Sequence, residues 1–342
     1  MATRQQREQE LINSGLVNAI KRAYNGTNYN IPDKYFLLMA DYIDSVMQVQ
    51  DSLGIDAYEL ARILPQVLNN VEEKNIPVHG ITEGTSITMN PNMSYEATKL
   101  YFFHELTHAL QTRKTQQGEE CSLANNRNGS FLMEGLTQYT AERLYHVSNG
   151  TNMTYREQIN RVRGQSNHTC YSPLSEYQLN GNILCMLGQA TDIGLNEMIG
   201  LGYQKGGRDK IKKKYESIPG NEGKFEEFMD DLEKIYAIDK FMAVGQAHVV
   251  NGNPQLLRLS NGQTFMGNLQ IQEQLINKVE RELAASYIEN HDDSYILANY
   301  SKFEKVLTTP QLKQQFSAVV DQIELDAIQK LNANRQNSNV RR

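Results

Sequence analysis

Three things are scarce in this sequence, and each scarcity excludes a class of protein. The 342 residues contain no run approaching the roughly 18 apolar residues that a spanning helix needs. The longest uncharged candidate, Tyr177 to Thr191, is interrupted by glutamine, asparagine and glycine, so a membrane span is not expected. Cysteine is sparse: Cys121, Cys170 and Cys185 form an odd, widely spread set, which argues for reduced thiols rather than a disulfide scaffold. Excess charge of one sign is also missing. A formal net charge of −6 attracts no polyanion over the whole surface, and nucleic acid is not an expected partner. The N-terminus, "MATRQQREQE", lacks the apolar core and small-residue cleavage site of a secretory signal. The expectation is a cytoplasmic protein, with non-classical export left open.

What is present is the composition of a globular chain, 39% hydrophobic and 22% charged, able to bury a core. Leu11, Ile12, Leu16, Ala19 and Ile20 keep one face of a 3.6-residue period, and a second periodic run covers Lys34 to Val49. A third helix opens at Asp56, with Glu59 at capping-box spacing. Near Asn75 the texture changes: Ser86-Ile87-Thr88-Met89 alternates as a half-exposed strand does. Ser94 then caps a helix holding "LYFFHELTHALQTR". Gln116 to Ser130 reads as a polar surface loop, followed by the helix "FLMEGLTQYTAERLYHV". Further helices are expected from Ser172-Pro173 to about Ala190, over Asn196 to Ser217, and over Lys224 to Tyr236. The run Lys205 to Lys214 is the one basic cluster and reads as a solvated helix face. After Ala237 the period becomes strand-like, with Asn261-Gly262 as a hairpin turn. Helices return at the end, the last opening at Pro310, before a polar tail expected to be disordered. The organisation read from these changes is an N-terminal helical region over 1–75, a central core over 76–236, and a C-terminal region over 237–342.

The chemistry concentrates in "HELTH". His104 and His108 are four residues apart, so on a helix their side chains lie about 40° apart and one turn along the axis. Two imidazoles can reach one metal from that face. Glu105 lies about 100° around from His104, placed to touch a metal-bound water but poorly placed as a third ligand. That asymmetry suits a general base. These donors favour zinc, which in catalytic sites keeps three protein ligands and an open position. By chance the pattern occurs in about one chain in a hundred of this length. Its apolar setting adds weight, because three buried ionisable groups lose several kcal/mol to desolvation unless partners exist.

HELTH supplies two ligands, and a third is required. The glycine and histidine of a metzincin are replaced by Gln111 and Lys114, so that branch is out. The following helix offers Glu134, 26 positions beyond His108. Glu119, Glu120 and Cys121 are rival ligands from the intervening loop, less well preorganised.

HELTH followed by "EGLTQYTAE" resembles the gluzincin, thermolysin-like branch of HExxH zinc metallopeptidases, and the second helix looks like an "EGLTEY" variant found in bacterial proteins of this kind. The resemblance covers about residues 86 to 145 well and extends weakly to about 217. It implies an α+β, mostly helical fold with a zincin-like core, a small sheet and two metal-binding helices. It also implies zinc held by His104, His108 and Glu134, with Glu105 as general base. Gln138 falls where the family has an acid that orients a zinc histidine, a departure that raises ligand basicity less than a carboxylate does. Glu142, about 12 Å from Glu134 along the axis, reads as a solvated or structural acid. Tyr139, His146, His168, Tyr171 and Tyr177 are candidates to stabilise the oxyanion, and Tyr177 is preferred because Gly181 and Gly188 leave room beyond it. In such enzymes an extended peptide pairs with an edge strand ahead of the metal helix, and Thr85 to Asn90 fits either that position or an interior strand.

The function these features imply is hydrolysis of a peptide or protein substrate by metal-activated water, with a zinc-binding helical scaffold of little hydrolytic power as the alternative. A metal-free helical binding protein is the third reading. Retention of Glu105 beside the open position favours the first.

Overall fold

A computed structural model describes residues 4–115, 118–125, 128–150, 176–250 and 265–340. The chain divides into two compact units, one of 1–167 with 195–210 and one of 168–194 with 211–342. Both are dominated by helices, and the α+β, mostly helical architecture with a small sheet is what the sequence implied.

The first unit is built around α3 (Asp33–Leu53), packed by α1 (Arg4–Asn13), α2 (Leu16–Ala23), α4 (Ala57–Val67) and the helices that follow. Tyr35, Phe36, Leu38, Met39, Tyr42, Ile43 and Val46 are all buried, so α3 is covered on more than one face. Asp56 caps α4 by accepting from the backbone N–H of Tyr58 and Glu59. Glu59 pairs with Arg62. Three short strands follow, β1 (Asn70–Glu73), β2 (Gly80–Glu83) and β3 (Ser86–Met89), in the order β1-β3-β2. β1 runs parallel to β3 and β2 antiparallel to it, through a two-residue turn with Gly84 at φ 58°. The alternation of Ser86 to Met89 gives the expected half-buried strand, with Ile87 and Met89 inside.

α5 (Tyr95–Gln111) starts at Ser94, whose hydroxyl accepts from the Ala97 N–H. α6 (Ser130–Ser148) packs against it. Tyr145 near the end of α6 donates to Glu96 at the start of α5, while Glu134 meets His108, so the helices run antiparallel. A buried polar cluster fastens them to α3: Lys99 pairs with Asp41 at 2.7 Å, Ser148 donates to Asp41 at 2.7 Å, and Lys99 also donates to Ser148. α8 (Leu195–Leu201) completes the unit, with Tyr203 joined to Tyr42 at 2.6 Å.

The second unit holds α7 (Glu176–Thr191), α10 (Phe225–Val250), α11 (Phe265–Asn290), α12 (Asp293–Glu304) and α13 (Pro310–Val340). The division between the units falls inside α9 (Gly207–Glu216), where Lys210, Lys213 and Lys214 are exposed as the solvated-face reading expects. No helix among the described residues is long and apolar enough to cross a membrane.

Four expectations are corrected. Gln116 to Ser130 is not all loop, because β5 (Gly118–Cys121) falls within it and pairs antiparallel with β4 (Thr112–Thr115). Its register sets Arg113 opposite Glu120 and Lys114 opposite Glu119, a pairing that no apolar alternation in the sequence announces. Of the two readings of Thr85 to Asn90 the interior one holds: β3 lies between its two neighbours, and the edge strands are β1 and β2. The helix expected over Asn196 to Ser217 is two helices, broken at Gly202 to Gly206, where Gly206 has φ 71°. The strand-like reading after Ala237 gives way to α10, which continues to Val250; Ile238, Phe241 and Met242 keep helical spacing and no proline intervenes. Asn261-Gly262 lies outside the described residues. The polar tail is helical to Val340, since no glycine or proline follows Pro310.

The expected boundaries near 75 and 236 do not coincide with the division into compact units. Residues on both sides of 75 belong to the first unit, because α3 provides the core on which α5 and α6 rest.

Candidate metal centre

The centre is made by two turns of helix facing each other. His104 and His108 project from one face of α5, and Glu134 from the second turn of α6. His104 Nε2 and His108 Nε2 are 3.0 Å apart, and each is 3.5 Å from Glu134 Oε2. The circle through these three atoms has a radius of about 1.9 Å, just under the roughly 2.0–2.1 Å of zinc bonds to imidazole nitrogen and carboxylate oxygen. His104, His108 and Glu134 could thus hold a zinc ion, which would supply Lewis acidity there. Among the described residues this is the one group of three such donors converging in this way.

The outer contacts fix which nitrogen of each ring faces the centre. His104 Nδ1 lies 2.9 Å from Gln138 Oε1, and the Gln138 amide N–H donates to Glu142 Oε1 at 2.7 Å. His108 Nδ1 lies 3.4 Å from Thr137 Oγ1, whose proton goes to Gln111 Oε1 at 3.0 Å. With Nδ1 of each ring turned outward to these partners, both Nε2 atoms point at one space. Gln111 reaches this position because Gly202 has no side chain; a Cβ there comes within 2.8 Å of its amide nitrogen.

Electrostatics agree with a cation site. Burial works most strongly against the Glu134 charge, yet hydrogen bonds from His104 and His108 outweigh it and hold the carboxyl well below its usual range. For His104 burial is again the largest influence and lowers the value, but Glu134, Glu105 and Gln138 together lift it above the ordinary imidazole range. Burial thus opposes the charge on both groups, and their mutual contacts favour it.

Glu105 is 7% exposed and faces the edge strand. Thr82 Oγ1 donates to Glu105 Oε2 at 2.7 Å and also lies 3.0 Å from the Glu105 carbonyl. Gly80, two residues earlier on the same face of β2, gives the carboxylate its space: a Cβ at that position meets Glu105 Cγ at 2.8 Å and Oε1 at 3.1 Å.

The structure brings His104, His108 and Glu134 together and places Glu105 beside them on α5. Tyr177 falls in the first turn of α7, in the other compact unit, and its side chain is outside the described residues, as are His168 and Tyr171. Tyr139 and His146 lie on α6. The side chains of Glu119, Glu120 and Cys121 also fall outside the description. Sequence reasoning missed Gly80, Thr82 and Thr137, and read Glu142 as a solvated or structural acid. The one local signal was the four-residue spacing of Gln138 and Glu142, which places them on one helix face. No protein family, curated protein or solved structure matches this chain.

Proposed function

We propose that this protein is a zinc-dependent metallopeptidase with a zincin-like core, acting on a peptide or protein substrate in the cytoplasm. The observation that carries the reading is the triangle of two imidazole nitrogens and one carboxylate oxygen, sized for zinc and set on the helix that also presents Glu105. Zinc held there supplies Lewis acidity and lowers the pKa of water towards roughly 7. Glu105 takes a proton from the attacking water as its oxygen adds to the scissile carbonyl carbon. The same carboxyl then returns that proton to the amine nitrogen as the C–N bond breaks. His104, His108 and Glu134 hold the cation, and no covalent enzyme intermediate is involved.

The edge strand β2 is the element on which an extended peptide can pair by backbone hydrogen bonds, in place of the interior β3. The face of this strand that carries Gly80 and Thr82 lies next to Glu105. Tyr177 is the proposed donor to the developing oxyanion. Tyr177→Phe is expected to lower kcat by about 10²–10³ with zinc content unchanged, and an unchanged kcat removes it from the mechanism.

The deciding experiment pairs elemental analysis with cleavage of a peptide library by wild type and Glu105→Gln. Stoichiometric zinc in both proteins, with cleavage by wild type alone, is expected. Equal cleavage by both forms takes Glu105 out of the chemistry. Zinc without any cleavage supports the scaffold alternative, and a purified chain that binds no zinc supports a metal-free helical binding protein.

A further inference from the structure

Gln138 poses a difficulty that its neighbour resolves. A primary amide beside a histidine can present either its oxygen or its NH2 group, and the two choices enforce opposite imidazole tautomers. If NH2 faces His104 Nδ1, that nitrogen must accept, the proton moves to Nε2, and the lone pair needed for a metal is lost. A carboxylate in that place leaves no such choice, because it only accepts.

Glu142 restores the choice-free arrangement at one remove. It stands one turn beyond Gln138 on α6 and accepts from the Gln138 amide nitrogen at 2.7 Å. An ionised carboxylate has no proton to give, so the NH2 group must face it. The amide oxygen is then turned to His104 Nδ1 at 2.9 Å, the ring proton stays on Nδ1, and Nε2 keeps its lone pair towards His108 and Glu134. The hydrogen bonds point the same way along the chain, from imidazole to amide to carboxylate, so each polarises the next. The Tyr101 hydroxyl is raised by burial first and by the Glu142 charge second, which places Tyr101 near this carboxylate.

We infer that Glu142 is a positioning residue for the metal centre, acting through Gln138 to hold His104 as the Nδ1–H tautomer and so supplying at two bonds' remove the orientation a direct carboxylate gives elsewhere. The inference rests on the metal reading of the site and not on the hydrolytic one.

The test uses the full chain, wild type and Glu142→Gln, with zinc affinity measured by competition against a chromophoric chelator. Loss of an outer-shell partner of this kind is expected to weaken zinc binding by about 10–100-fold. Gln138→Glu in the Glu142→Gln background places an acceptor directly on His104 and is expected to recover most of that loss. A merely structural role for Glu142 predicts no recovery. Nitrogen NMR of His104 in metal-free protein at alkaline pH is expected to show Nδ1–H in wild type and a mixture of tautomers in Glu142→Gln. This readout does not need zinc, so a chain that binds no metal refutes the metal reading while the relay is still judged by its tautomer. Unchanged affinity together with an unchanged tautomer in Glu142→Gln overturns the inference, with thermal unfolding confirming that the variant is folded.

Discussion

The hydroxyl of Thr82, on the edge strand β2, donates a 2.7 Å hydrogen bond to the carboxylate of Glu105, on the metal helix α5. This ties the strand proposed to carry substrate to the acid proposed to move the proton. A 7%-exposed carboxylate is thereby held in one orientation instead of turning among several.

Removing that bond is expected to affect turnover more than binding. Thr82→Val keeps the shape and β propensity but leaves one carboxylate oxygen without its donor, a loss of about 1–3 kcal/mol in the positioning of Glu105. Steady-state kinetics should show kcat falling by roughly 10-fold or more with KM near wild type, and zinc content unchanged. Gly80→Ala makes the same point by crowding, since its Cβ must displace Glu105 Cγ. Wild-type kcat in both variants contradicts a role for β2 in holding the base.

The metal-free protein has a defined pH optimum of stability. His104 has a folded value raised above 6.5, so its contribution is complete below about 6.5 and is lost as pH rises through the raised value. Glu134 has a value depressed below 4.5, so its contribution is complete above about 4.5 and is lost as pH falls through the depressed value. The chelator-treated chain should therefore show its site-derived stability between about pH 4.5 and 6.5, and a declining Tm at higher pH.

Zinc reverses the alkaline part of that trend. Protons compete with the ion for the imidazole nitrogens, so the rise in Tm on adding zinc should grow from mild acid to neutrality. At a free zinc concentration 100 times Kd the stabilisation is about 2.7 kcal/mol. Glu134→Ala is expected to abolish most of this shift, and differential scanning calorimetry reads it directly. A shift that persists in Glu134→Ala rejects that residue as a ligand.

The Asp41–Lys99 pair is the buried fastening between α3 and α5, with both side chains 3% exposed. Asp41→Ala leaves the Lys99 ammonium buried without its counter-ion and should cost about 3–5 kcal/mol in urea unfolding. Lys99→Met is expected to cost less, because Arg7 and Ser148 still bind Asp41. Equal costs argue against this ordering.

Tyr42 lies under the metal helix, its hydroxyl 2.9 Å from Thr107 Oγ1 and 2.6 Å from the Tyr203 hydroxyl. Tyr42→Phe should lose about 1–3 kcal/mol of stability, measured by urea unfolding, with zinc affinity unaltered because neither partner touches the metal donors. A change in zinc affinity shows that α5 is less rigid than its packing implies.

By itself the sequence determined those elements whose local spacing and caps are unambiguous. The caps Asp56 and Ser94, the strand Ser86–Met89, and the helices carrying HELTH and Glu134 all follow from spacing of a few residues, because backbone geometry within one element is set by its own chemistry. The helical spacing of His104 and His108 already placed two nitrogens on one face. Tertiary structure decided the rest. Which strand forms an edge depends on pairing with β1, 16 positions earlier in register, and no local pattern encodes that partner. The hairpin after HELTH pairs β4 with β5 although no apolar alternation marks either strand. Gly80, Thr82 and Glu142 gain roles only when β2, α5 and α6 are packed together, since a hydrogen bond between distant residues is fixed by the fold that juxtaposes them.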